Sequence, residues 1–208
     1  MSEYYMLHKP RGCITARRDP RHKTVMDLFP EEKRDVLFPV GRLDKDTEGL
    51  LIVTNDGMLS FGLMNPRHKV CKTYFFWALG EPSEEKLSEL ERGVHIYSSS
   101  ENFTSPATVQ VLERSTLKDI SHLLDYEDSK MSKRRGELPV YSGTITITEG
   151  KKHQVKRMIR YAGNRVLYLK RLSISGLLLD PALPIGQYRA LTDEELLLLR
   201  GNEPNEKE

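Results

Sequence analysis

The sequence predicts an α+β protein with a largely antiparallel, mixed sheet flanked by helices. Three observations carry this expectation. Short strand-like runs are the commonest segments, Gly, Pro and Asn punctuate them, and single capped helices are interspersed among them. Residues 4–8 read as a strand ended by the turn signal Lys9-Pro10-Arg11-Gly12. Residues 24–29 read as a helical turn stopped near Pro30, and residues 37–40 lead into a polar segment at 41–49. The apolar run 50–54 suits a buried strand closed by Asn55-Asp56-Gly57, with a short helix at 58–64. An aromatic strand follows at 72–79. Ser83 then caps a helix with Glu84 and Glu85 in its first turn and Gly93 past its end. Strands are expected at 94–97 and 108–113. The polar stretch 115–139, ending in basic residues, reads as an excursion from the sheet. Strict alternation returns at 141–148, a helix covers 153–161, and strands cover 165–170 and 172–179. Thr192 opens a last helix with Asp193, Glu194 and Glu195 at its positive end, before a polar acidic tail at 201–208.

The 208 residues are enough for one large domain or two small lobes with a real core. No apolar run approaches the length of a membrane span, since the longest, at 50–53 and 196–199, are short. The N-terminus has no signal-like apolar stretch, and Cys13 and Cys71 cannot build a disulfide scaffold or a zinc site alone, so a cytoplasmic protein is expected. The net charge of +2 hides strong segregation. Residues 8–23 hold six Lys/Arg against one acid, residues 151–171 hold eight and no acid, and residues 193–208 hold six acids against two bases. Such an uneven distribution is the footprint of a nucleic-acid binder, although a solvated basic face would look the same.

One helix sharpens the choice. Val155, Met158, Ile159 and Ala162 share the spacing of a core-facing stripe, while His153, Lys156, Arg157 and Arg160 repeat it on the other side. No acids are interspersed to make ion pairs along the helix, which favours a ridge for a phosphate backbone.

The segment Asp44-Lys45-Asp46-Thr47-Glu48-Gly49 opens like a calcium loop. The match fails at the twelfth position, where Asn55 replaces the bidentate carboxylate, so no metal is expected. The alternatives are a salt-bridged turn and a functional loop in which Arg42 keeps Asp44 ionised as a nucleophile or base. A glycosidase pairing Asp44 with Asp46 or Glu48 finds no other support in the sequence.

Gly41-Arg42-Leu43-Asp44-Lys45-Asp46-Thr47-Glu48-Gly49-Leu50-Leu51, followed by Thr54-Asn55-Asp56-Gly57, resembles the signature of the bacterial ribosomal-RNA pseudouridine synthases of the RsuA/RluB/RluE/RluF family. Three further blocks resemble that family's motifs in order: His8-Lys9-Pro10-Arg11-Gly12, Lys72-Thr73-Tyr74, and Glu149-Gly150-Lys151-Lys152-His153-Gln154-Val155-Lys156-Arg157-Met158. The resemblance implies a pseudouridine synthase catalytic fold over residues 1–200, in one domain or two lobes. It implies isomerisation of a uridine in ribosomal RNA without metal or cofactor. Asp44 matches the family's essential aspartate, Tyr74 its active-site tyrosine, and Lys156 the basic residue paired with the aspartate. Arg42, Lys9, Arg11, His153, Gln154, Arg157 and Arg160 are then expected to contact RNA.

Many relatives carry an S4 domain before the lysine-proline motif, and none is expected here. Lys130, Lys133, Arg134 and Arg135 in the excursion are candidates for compensating contact. The run Pro66-Arg67-His68 before Lys72-Thr73-Tyr74 and the ending Gly186-Gln187-Tyr188-Arg189-Ala190-Leu191-Thr192 resemble the small-subunit enzyme most, which points to 16S rRNA. A 23S enzyme and a non-catalytic RNA-binding assembly module are the alternatives. The expected partner is ribosomal RNA or an assembling subunit, with the protein a monomer.

Overall fold

A computed structural model describes residues 1–96 and 103–201. The expected strand end at Tyr97 and the tail after Gly201 lie outside them. The chain divides into two compact units, Met1–Lys72 with Lys170–Glu208, and Thr73–Leu169. Nine strands and six α-helices occur among the described residues, an α+β arrangement as expected.

In the first unit, β1 (Tyr4–Lys9) pairs antiparallel with β3 (Glu48–Thr54), from Tyr4 opposite Thr54 to Lys9 opposite Gly49. The two-residue β2 (Phe38–Pro39) also pairs with β3. All seven residues of β3 are buried, as its apolar run requires when both faces are covered. A short helix α1 (Glu31–Arg34) precedes β2, and α2 (Gly57–Met64) follows β3. The Asn55-Asp56-Gly57 signal starts that helix, because Asp56 Oδ1 accepts from the amides of Met58 and Leu59. Met6, Leu50, Ile52, Leu59, Leu63 and Leu199 share one apolar core.

In the second unit, β4 (Lys72–Leu79, of which Lys72 belongs to the first unit) is followed by α3 (Glu84–Leu90), capped by Ser83 as predicted. Next come β5 (Thr108–Thr116), α4 (Tyr126–Arg134), β6 (Pro139–Ile147) and α5 (Gln154–Tyr161). β5 and β6 form a long antiparallel pair closed at Thr116 and Pro139, so residues 117–138 leave the sheet and return. Trp77, Leu117, Ile120, Val140, Leu167 and Tyr168 form the core.

Several local expectations are corrected. Residues 165–179 form one ten-residue strand, β7 (Arg165–Ile174), and a two-residue β8 (Leu177–Leu178) that folds back on it. Arg171 does not break β7, because it is buried and donates from Nε to the Leu50 carbonyl at 2.8 Å. β7 lies parallel to β3 at Glu48–Lys170 and Gly49–Arg171. Gly49 is required there: its φ is +116°, and a Cβ would meet the Arg171 carbonyl oxygen at 2.3 Å. The three-residue β9 (Tyr188–Ala190) on β1 is too short to show a period, and α6 (Asp193–Arg200) is the expected last helix. The 115–139 stretch is not merely polar. It contains α4 and buries Leu117 and Ile120. Residues 94–96 form no strand beyond an isolated bridge between His95 and Phe103.

Candidate active site

The first unit carries Lys9, Arg11, Arg42 and Asp44. Asp44 is half-buried in the connection before β3, and the backbone around it is pinned from several sides. Lys9, at the end of β1, is fully buried, and its ammonium donates to the carbonyls of Pro10 at 3.0 Å, Asp44 at 3.1 Å and Thr47 at 2.9 Å. The amide of Gly12 donates to the Lys45 carbonyl at 2.7 Å, and Thr15 Oγ1 donates to the Leu43 carbonyl at 2.7 Å. Thr47 N closes a turn onto the Asp44 carbonyl at 3.0 Å.

Lys9 was expected among the RNA contacts. Its burial and its three carbonyl partners make it a clamp on the Asp44 segment instead. Burial pulls its pKa below the usual lysine range, against which the nearby Asp46 and Asp44 charges act. Burial likewise pushes the Cys13 thiol up, so it stays protonated and unreactive. Arg11 is half-buried, and Arg42 is exposed.

Glu48 closes the segment on a buried carboxylate. Its Oε1 lies 3.0 Å from His8 Nε2 and 3.1 Å from Lys170 Nζ. His8 Nδ1 faces the Leu183 carbonyl at 2.8 Å. Two strands flanking β3 are thus tied to one carboxylate just after Asp44.

The second unit carries Tyr74, His153, Gln154, Lys156, Arg157 and Arg160. Tyr74 is buried on β4, on the face it shares with Phe76 by strand alternation. Phe75 and Trp77 take the opposite face, where both join the Leu117 core. α5 presents the predicted stripe inward: Val155, Met158, Ile159 and Ala162 are all buried. The helix starts one residue later than expected, because His153 has left-handed backbone at φ 54° and precedes the first turn.

Gln154 departs from its expected role as an RNA contact. It is buried, accepts from the Lys151 amide at 2.9 Å and donates to Glu149 Oε1 at 2.8 Å, so it shapes the entry to α5. His153, Lys156, Arg157 and Arg160 stand over a groove of about 530 Å³ whose walls also include His95 and Arg165. Arg157 also donates to the Ile96 carbonyl at 3.4 Å. Six cationic or ionisable side chains around one groove make an electropositive surface suited to a polyanion. His95 and Arg165 were missed as lining residues. Arg165 was visible only as part of the basic run, and nothing local marked His95.

Residues 3–161 match the family described as RNA pseudouridylate synthase. The chain belongs to that family. The matched span takes in Lys9, Asp44, Tyr74 and Lys156 and ends on the last residue of α5. The chain is 45% identical over 202 residues to the uncharacterized RNA pseudouridine synthase YtzG of Bacillus subtilis (strain 168), covering 97% of this chain and 74% of that protein. It is 35% identical over 195 residues to ribosomal small subunit pseudouridine synthase A of Pseudomonas aeruginosa, covering 94% and 73%. A crystal structure of a pseudouridylate synthase superposes with a TM-score of 0.77 at 31% identity, covering 96% of this chain and 74% of that one. Membership makes the protein an RNA-modifying isomerase. Among the described residues, no helix is long and apolar enough to cross a membrane.

Proposed function

We propose that this pseudouridine synthase acts on a uridine of ribosomal RNA, with the Asp44 carboxylate as the reacting group. The observation that carries the reading is the pinned Asp44 segment in a chain matched by the family across that segment. In the reaction the N1–C1′ bond breaks, the uracil turns, and a C5–C1′ bond forms. The C5 hydrogen leaves as a proton and N1 gains one, so the product is an isomer. The target must leave its stack to reach the half-buried Asp44 carboxylate. A segment held by buried hydrogen bonds meets it without reorganising, which is where orientation lowers a barrier.

Tyr74 offers a ring face to the flipped uracil and a hydroxyl for late proton removal, and Lys156 supplies the basic residue of the family's motif. Arg42, exposed beside Asp44 in sequence, takes the space the base vacates. Arg11, His153, Arg157 and Arg160 neutralise phosphates. The 16S rRNA is the proposed target, following relatives named for the small subunit. The enzyme works in the cytoplasm as a monomer on free rRNA or an assembling subunit.

The test is tritium release from 16S and 23S transcripts labelled at uridine C5, and from partly assembled subunits, with wild type and Asp44→Asn. Release by wild type from 16S substrates and none by the variant is expected. Release from 23S alone moves the target, and no release from any substrate despite salt-sensitive binding leaves only an RNA-binding module.

A further inference from the structure

α4 has two unlike faces. Asp128, Met131 and Ser132 lie on its inner side. Asp128 and Ser132 are buried, and Met131 packs on the Leu117 core. Ser132 Oγ donates to the Leu117 carbonyl at 3.3 Å. Asp128 accepts a two-pronged ion pair from Arg165, Nη2 to Oδ1 at 2.6 Å and Nη1 to Oδ2 at 3.2 Å. This geometry fixes orientation as well as contact. Arg165 is also a wall of the basic groove along α5. The pair therefore fastens α4 to the groove within the same unit.

The outer face of α4 carries Tyr126, Lys130, Lys133 and Arg134, which helical spacing places within one stripe. Tyr126 is 73% exposed. Lys130 sits 4.1 Å over its centroid and pairs with Glu127 at 3.3 Å, so the ring is held rather than free to turn. Lys133, Arg134 and the following Arg135 are exposed at the C-terminal end, where cations suit the helix dipole. An exposed aromatic ring beside several cations is the composition of a surface that stacks an unpaired base and neutralises its phosphates.

We propose that the outer face of α4 is a second RNA contact in the same unit as the α5 groove, binding a single-stranded segment of the substrate RNA. This rests on the RNA-modifying reading above. Tyr126 stacks a base, Lys133 and Arg134 hold adjacent phosphates, and Asp128 positions the helix through Arg165.

The experiment measures filter binding of a 16S transcript against salt for wild type, Lys133→Gln/Arg134→Gln, Tyr126→Ala and Tyr126→Phe, with tritium release by wild type alongside. All three substituted positions are exposed, and unchanged thermal midpoints check folding. The double variant is expected to bind roughly tenfold more weakly, with a log–log salt slope shallower by roughly one to two. Tyr126→Ala is expected to lose roughly tenfold, and Tyr126→Phe to bind like wild type because the ring face is kept. Wild-type affinity and slope in the double variant, or equal behaviour of Tyr126→Ala and Tyr126→Phe, overturns the proposal. Wild type that binds without tritium release refutes the synthase reading and leaves this surface judged by slope alone.

Discussion

Behind Asp44 the Lys9 ammonium is buried and its hydrogen bonds end on backbone carbonyls, whereas along α5 the cations stand over an open groove. Lys9 shows the first style and Arg160 the second: one is fully enclosed, the other exposed. The difference suits the work proposed for each region. A reacting group gains from fixed geometry and tolerates the cost of burying its supports. A phosphate-binding surface gains from charge that remains in water, can shed counterions and can adapt to the strand. Substitutions in the first region should therefore damage turnover and stability, and those in the second should damage affinity and its salt dependence.

The largest effect is expected from Asp44→Asn, which should lower kcat by at least on the order of 10³ while RNA binding persists, measured by tritium release beside filter binding. Binding lost in step with turnover would break the contrast.

Lys9→Met comes next. It leaves three carbonyls without their donor, at about 1–3 kcal/mol of stability in urea unfolding. It should also lower kcat by roughly 10² through misplacement of the Asp44 segment, with KM nearly unchanged. A rise in KM alone would return Lys9 to the RNA contacts.

Arg157→Ala with Arg160→Ala should weaken RNA binding roughly tenfold and flatten the salt slope by about 0.7 per lost contact on a single strand. An unchanged slope would show that the groove binds by other means.

The smallest expected effect sharpens the account of burial. Lys72 is buried beside the Arg171 charge, and burial first, then that charge, lower its pKa from 10.5 to about 8. Between those values the unfolded chain holds a proton that the folded chain has released. Stability should therefore rise with pH from about 8 to 10.5 and be insensitive to this group below. Lys72→Met should remove that rise and stabilise the protein at neutral pH, as urea midpoints across pH would show. An identical pH profile in the variant would count against this reading of Lys72.

The sequence by itself determined the α+β class, the buried β3, the Ser83 and Thr192 caps and the two-faced α5, because periodicity and capping are local and each element obeys its own pattern. Its motifs also singled out Asp44, Tyr74 and Lys156, and the family match spans all three. Only the tertiary structure decided what a cation does once placed. Lys9 and Arg160 carry the same charge in basic runs, yet one is enclosed by carbonyls from residues 10, 44 and 47 and the other faces solvent. Gln154, Arg171 and His95 show the same limit. Burial and partners come from residues distant in the chain, such as Leu50 for Arg171, and no local window contains them. The parallel approach of β7 to β3 at Gly49 belongs with these, since it brings together residues more than a hundred positions apart and is settled only when the sheet assembles.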